Sequence, residues 1–506
     1  MSAQPVPLSQ AQGPGAALER ALVLLTCTGV TFLYAMTVTI VNVSLPQMQG
    51  ALSATPDQIA WVVTSNIVAT AVMTPLAGWL TARYGRRRVC NTCVFGFGVA
   101  SLACGLADSL GELVVFRALQ GAIGAPLVPL SQAIVLDTYP KERHGAVIAI
   151  FGLGSVLGPI IGPVAGGWIA EAYNWRWVFF MIVPFALLVY IGTLAFIHDR
   201  AAGSRDRLDW LGFLLLSSML AATQLMLDRG ERADWFDSAE IIAWAAIAGL
   251  ALYAFIVHSA TAERPFLDPR LLADRNFAIG IVLIFVFGML NFTPMTLLPP
   301  MLQGVSGYPD SVIGFVLGAR GLGTMIGFFL MIYASRLDPR AMIMLGFLLQ
   351  AFAGWQLAHL DVNPSTADVF WPMALQGFGV GVLWVPITLV SFSTIPSGFL
   401  AEASAVFHMV RNIGSSIHIS LSISLAVHMT RTSYAELAER VTPYSQALSM
   451  PWVSGSWNLE DARGLAAFSR EIARQAAMIG YLDAFVFFIA TSLAVLPLVF
   501  FIRVKR

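Results

Sequence analysis

Apolar residues run along this chain in windows of spanning length, separated mostly by short polar breaks. Fourteen windows stand out, at 21-44, 58-80, 89-107, 112-136, 145-170, 177-197, 210-228, 239-258, 277-302, 311-334, 341-359, 369-396, 402-428 and 478-501. A helix of about 20 residues crosses the hydrocarbon layer of a bilayer. Helix is the conformation expected of serial spans, because lipid cannot satisfy the open backbone groups of an unpaired strand. The pattern predicts an all-α polytopic membrane protein.

Composition agrees with that reading. Of 506 residues, 57% are hydrophobic and 11% charged, against roughly a quarter charged in a soluble domain. Basic and acidic residues balance at 29 each, so no global field recruits nucleic acid. Cys27, Cys90, Cys93 and Cys104 lie in or beside apolar runs. Cys90 and Cys93 have the CxxC spacing, but no second pair or His cluster completes a zinc site, so no metal is expected. Neither a nucleotide-binding Gly-rich loop nor a nucleophile arrangement is found, so the chain is read as a non-enzyme without cofactor.

Residues 1-20 lack the basic cluster of a secretory signal, and the first apolar run is too long for a cleaved signal core. They read as an N-terminal tail before a retained span. Counting Lys and Arg on alternate sides places 18 with the N-terminus and 8 opposite, leaving Arg117, Arg320 and Arg411 inside spans. That bias predicts both termini in the cytoplasm. Residues 429-477 form a long outer loop, whose Leu465, Phe468, Ile472 and Met478 have amphipathic helical spacing among Arg470, Glu471 and Arg474. Two readings stand for it: an extension of the last span, or a docking surface.

Several breaks and spans carry chemistry. Between spans two and three, Gly78, Arg83, Gly85 and Arg86, followed by Arg87 and Arg88, suit a tight turn with a cationic cluster at the interface. Span five holds Gly154, Gly158, Pro159, Gly162, Pro163, Gly166 and Gly167, a small-residue face that lets backbones touch, with prolines that predict a kink.

These residues resemble the fourteen-span drug:proton antiporters of the major facilitator superfamily, most closely the EmrB/QacA type. Thr39 to Pro46 is similar to that family's span-one signature, and Gly78 to Arg88 to the superfamily loop. Arg117-Ala118-Leu119-Gln120-Gly121 is similar to the span-four motif, and Gly154 to Gly167 to the antiporter motif. Asn174 to Trp177, Leu227 to Gly230 with Asp234 to Ser238, Arg320 to Gly323, and Arg411 to Ser416 also match.

The resemblance implies two six-helix bundles, at 21-197 and 277-506, with two spans inserted in a linker at 198-276. It implies proton-coupled efflux of small hydrophobic or amphiphilic compounds by alternating access, in a bacterial inner membrane. Protons, substrate and lipid are then the immediate partners, with a periplasmic adaptor protein and an outer-membrane channel beyond them.

Departures sharpen the list of candidates. The span-one aspartate of the family is here Thr37, near Asn42; the loop aspartate falls at Ala82, and the span-six Asn at Ile182. Intramembrane ionisable groups are functional candidates by default. Arg117 with Gln120 ranks first for proton relay or substrate contact, against snorkelling to the outer interface.

In span thirteen, Ser404, His408, Arg411, Ser415, His418 and Ser422 fall within an arc of about 80°. Such a stripe faces protein or water. His408 or His418 is a replacement proton carrier, against interhelical hydrogen bonding or substrate contact. Asp483 is the alternative carboxylate, and Arg320 a further cavity or packing residue. With three buried arginines and no mid-membrane carboxylate in the first half, neutral or weak-acid substrates are favoured over lipophilic cations. An uncoupled facilitator and a non-transporting membrane sensor remain the alternatives.

Overall fold

The computed structural model describes residues 14–198, 208–263, 265–334, 336–441 and 461–502. Within helices, the side chains of Asn42 and Pro163 lie outside the described ones. The N-terminal group of helices is α1 (Pro14–Ala51), α2 (Pro56–Met73), α3 (Leu76–Tyr84), α4 (Arg86–Leu106), α5 (Leu110–Gly124), α6 (Leu127–Thr138), α7 (His144–Ala172), α8 (Trp177–Phe180) and α9 (Ile182–Phe196). Then come α10 (Trp210–Arg229), α11 (Ala239–Thr261) and the short α12 (Arg270–Ala273). The C-terminal group is α13 (Arg275–Gly304), α14 (Asp310–Ala334), α15 (Pro339–Leu357), α16 (Thr366–Phe392), α17 (Leu400–Glu439), α18 (Ala462–Ala494) and α19 (Leu496–Val499). Among the described residues the fold is all helix and turn.

Among the described residues, twelve helical runs are long and apolar enough to cross a membrane, and the bent pair α2 and α3, taken as one span, makes a thirteenth. Where the hydrophobic pattern predicts a span at 341-359, α15 forms as a 19-residue helix. It is less apolar than the others, because Arg340 opens it and Gln350 and Gln356 interrupt it.

Local chemistry sets the breaks. Pro75 has no N–H to continue the ladder, and α3 leaves α2 at 57°. Gly85 alone joins α3 to α4 at φ 84°, ψ 151°, a conformation open to glycine and strained for other residues. Capping boxes at Thr55 with Gln58 and at Ser365 with Asp368 start α2 and α16.

The glycine face of α7 lies against α1. A Cβ on Gly154 would sit 2.4 Å from the Thr28 carbonyl oxygen, and one on Gly158 would sit 2.6 Å from the Met36 nitrogen. Gly162 and Gly166 meet Thr39 and Ile40 in the same way. The helix runs unbroken from His144 to Ala172, through the prolines at 159 and 163. Its other face reaches α14, where Gly152 meets the Phe328 ring and Ile160 fills the space over Gly321. α7 thus joins the two groups along one seam.

At the other seam, α3 packs on the start of α17: a Cβ on Gly78 would lie 2.9 Å from Glu402 Cα. Hydrogen bonds between the groups gather at this same end, with Lys141 Nζ donating to the Ser393 carbonyl at 2.9 Å and Ser404 donating to Gln132 at 3.3 Å. Further along, where α2 has bent away, α10 fills the gap between α2 and α17. Thr64 donates to Asp228 at 2.5 Å, Ser416 to Gln224 at 2.8 Å and Ser420 to the Leu227 carbonyl at 2.8 Å.

The base of the α10–α11 hairpin is clasped by Asp209, which accepts from the Gly212 and Phe266 amides and meets His258 Nε2 at 2.8 Å. Burial raises the Asp209 carboxyl, but the Gly212, His258 and Phe266 donors outweigh it and hold it below the usual range.

The described residues of the segment read as an outer loop at 429-477 are mostly helical. α17 has 40 residues, so at 1.5 Å per residue it is about 60 Å long, twice the hydrocarbon thickness. α18 begins at Ala462, which bears out the extension reading of its amphipathic stretch. Arg474 Nε donates to the Val305 carbonyl at 2.6 Å, and Tyr434 meets Ser469 at 3.1 Å. Residues 442–460 lie outside the described ones.

Because backbone rather than a flexible side chain faces Gly158, Gly158→Val is expected to force α1 and α7 apart at a cost of about 1–3 kcal/mol. A lower melting temperature of the purified chain, absent for Gly50→Val on an open surface, checks this.

Candidate functional site

Arg117 turns inward. It is 1% exposed, so the snorkelling alternative does not hold. Its Nε donates to the Val62 carbonyl of α2 at 3.1 Å, and Nη1 donates to Gln120 Oε1. Gln120 passes the chain on, donating to Ser101 of α4 at 2.7 Å. Asn66 of α2 donates to the Arg117 carbonyl at 3.0 Å. Gly121 makes the approach feasible, since any Cβ there would strike the Asn66 carbonyl oxygen at 2.3 Å.

Arg320 of α14 has a matching arrangement in the C-terminal group. Its Nε donates to Gln376 Oε1 of α16 at 2.8 Å, and Nη2 donates to the Asn291 side chain at 2.5 Å and to its carbonyl at 2.7 Å. Gln376 in turn pairs with Gln350 of α15, donating at 3.1 Å and accepting at its carbonyl at 2.9 Å. A Cβ on Gly377 would meet the Arg320 carbonyl oxygen at 1.9 Å. The Gln-Gly pairs 120-121 and 376-377 therefore make equivalent contacts, with Asn66 in one group standing where Arg320 stands in the other.

The polar stripe of α17 divides along its length. Ser404 and His408 face α6, where both bond Gln132 Oε1. His408 also lies 5.8 Å from the Trp384 ring of α16. Arg411 stands over the same ring, Cζ 5.6 Å from its centroid, and spends Nε and Nη2 on its neighbour Asn412.

Farther along, the stripe turns into the C-terminal group. Ser415 donates to the Gly288 carbonyl at 2.9 Å. His418 Nδ1 meets Thr293 at 2.7 Å, Nε2 meets Thr491 at 3.3 Å, and the ring stacks on Phe487. His418 is therefore satisfied as a packing residue, whereas His408 sits between the groups.

The remaining candidates are scattered. Thr37 is buried and its hydroxyl donates to the Leu33 carbonyl of its own helix at 2.7 Å. Asp483 is half-buried on α18, with no ion pair among the described residues. Arg83 is exposed, while Arg86 forms a largely buried ion pair with Asp137 at 2.6 Å, bracing α4 against α6. Gly167 lies on α7 but is only half-buried. Gln132 and Trp384 were not singled out from the sequence, although a glutamine within an apolar window is itself a signal. The recurrence of Gln-Gly could have found Gln376.

The sequence model of the Major Facilitator Superfamily matches residues 27–418. The chain is 32% identical to the "Multidrug export protein EmrB" of Escherichia coli (strain K12), over 98% of this chain and 97% of that one. The chain belongs to the Major Facilitator Superfamily, in its EmrB/QacA branch.

It is also 32% identical to the "Fatty acid resistance protein FarB" of Neisseria gonorrhoeae, covering 96% of each. Its fold is similar to that of the human organic anion transporter MFSD10, with a TM-score of 0.60 at 15% identity, over 95% of this chain and 100% of that one. As a major facilitator chain it is a multi-pass membrane transporter rather than an enzyme, and moves small molecules by alternating access.

Within this transporter, Gln376→Leu leaves Arg320 Nε and Gln350 Oε1 without their partners, while the backbone carbonyl of residue 376 still accepts from Gln350 Nε2. The loss of a buried bond to a charged group is expected to cost roughly 2–3 kcal/mol. A fall of several degrees in the melting temperature of purified protein measures it.

Proposed function

We propose that the chain is a proton-coupled exporter of small hydrophobic or amphiphilic compounds, preferring neutral or weakly acidic ones to lipophilic cations. The observation that carries this reading is an interior with Arg117, Arg320 and Arg411, none paired with a carboxylate among the described residues. Uncompensated positive charge in a low-dielectric site repels cations and attracts anions. The relatives named for multidrug export and fatty acid resistance support the same direction.

In this reading fourteen spans cross a bacterial inner membrane, α15 being the fourteenth, and both termini are cytoplasmic. The end at which Gly78 meets Glu402 and Lys141 meets Ser393 is then the cytoplasmic gate. The groups touching there correspond to a state closed inward. The helical extensions of α17 and α18 project on the periplasmic side, where an adaptor leading to an outer-membrane channel would dock.

Proton coupling falls to His408. Thr37 offers no carboxylate on α1 and its hydroxyl serves its own helix, whereas His408 lies on the face where the groups separate. The same Thr37 favours a second reading, a facilitator that moves solute without proton exchange.

Substrate-linked proton movement in proteoliposomes, with weak acids and lipophilic cations under an imposed pH gradient, separates these. The expected result is proton release with weak acids, lost in His408→Ala and kept in His418→Asn. Solute flux without a proton signal in the intact protein makes it a facilitator; faster transport of lipophilic dications overturns the substrate preference.

A further inference from the structure

Several buried polar atoms without a hydrogen-bond partner among the described residues lie where α6, α16 and α17 meet. They are Gln132 Nε2, Trp384 Nε1, Thr388 Oγ1 and His408 Nδ1. Their residues are 0%, 6%, 0% and 2% exposed. Trp384 and Thr388 are four apart on α16 and so share a face. The Trp384 ring is 5.8 Å from the His408 ring and 5.6 Å from Arg411 Cζ. Arg411 stands at the top of this cluster, half-buried, and Nη1 is the part of its guanidinium not spent on Asn412.

A buried polar atom without a partner is costly, so a cluster of them marks a place where something else binds. The chemistry of that something follows from the donors. The indole N–H, the Gln132 amide N–H pair and the Arg411 Nη1 hydrogens can only donate; the Thr388 hydroxyl can do either. Neutral His408, donating from Nε2 to Gln132, presents a lone pair at Nδ1 and gains a donor when protonated. Donors exceed acceptors, one donor is cationic, and an aromatic face flanks them.

Arg117 and Arg320 contrast with this. Both guanidiniums are held by amides and carbonyls of their own group, across to neighbouring helices, and neither lies among the unpartnered atoms of this cluster.

We infer that Arg411, Trp384 and His408 form the head-group site for a carboxylate amphiphile. One carboxylate oxygen accepts from Arg411 Nη1 and the other from Trp384 Nε1, with the apolar tail directed away from the donors. Gln132 orients His408 from the N-terminal group, so the site spans both groups and is complete only while they are closed at this end. The assignment deepens the export reading and rests on it for its role in transport, though not for the binding itself.

The test is equilibrium binding of radiolabelled decanoate and decan-1-ol to the purified full-length chain. Intact protein is expected to prefer decanoate by at least tenfold. Arg411→Gln should reduce the decanoate-to-decanol affinity ratio by tenfold or more. Trp384→Phe, which keeps the ring and removes the N–H, should reduce it about fivefold and guards against a folding failure in the arginine variant. Equal affinity for the two probes in intact protein overturns the site and leaves water as the occupant. A ratio unmoved by either substitution also overturns it. Selective decanoate binding by a chain that exports neither probe overturns the export reading alone, and export of both probes by a chain that binds them equally overturns the site alone.

Discussion

A guanidinium keeps its proton at any accessible pH, and in the hydrocarbon layer it has to be surrounded by acceptors before the helices around it can close. Arg117 and Arg320 impose that condition on both helical groups. Each is answered by a glutamine and by backbone carbonyls, and each glutamine is itself fixed by a further helix through Ser101 or Gln350. The packing of α2, α4 and α5, and of α14, α15 and α16, is organised around these bonds. Amides bear no charge, so satisfying the arginines in this way leaves their positive potential in the interior. A carboxylate partner would have cancelled it.

The two groups solve this with one piece of local geometry. A Gln-Gly pair lets the backbones come together at the glycine while the glutamine reaches across. The arginine belongs to the glutamine's own helix in the first group and to the facing helix in the second. The repeat thus keeps the contact and relocates the charge. Arg411 differs in kind, because its partner is the adjacent Asn412 and an aromatic ring, which hold it in place without exhausting its donors.

Much of this was legible in the chain. Lipid leaves long apolar windows few alternatives, so the helices lie close to where hydropathy put them. The small-residue face of Gly154 to Gly166 found the expected close neighbour in α1. What the periodicity of α17 could not show was its division: six residues on one face of a helix share a direction, but a helix of 40 residues passes several neighbours. His408 and His418 look alike in sequence and differ because one meets Gln132 across the groups and the other is enclosed by Thr293, Thr491 and Phe487. Pro159 and Pro163 each remove a backbone donor without ending α7, which stays helical across both. With α1 on one side and α14 on the other, the packing keeps α7 helical through them.

The placement of α10 bears on the path of a departing molecule. Bending at Pro75 draws α2 off α17 and would leave a slit facing the lipid, and α10 occupies it with bonds to both neighbours. The opposite seam is filled by α7 against α14. With both flanks walled, an amphiphile held in the interior is partitioned from the surrounding leaflets, and its open direction lies along the long axis of the helices into water. For the hydrophobic cargo of the proposed exporter, α10 would thus stand against a sideways return to the bilayer.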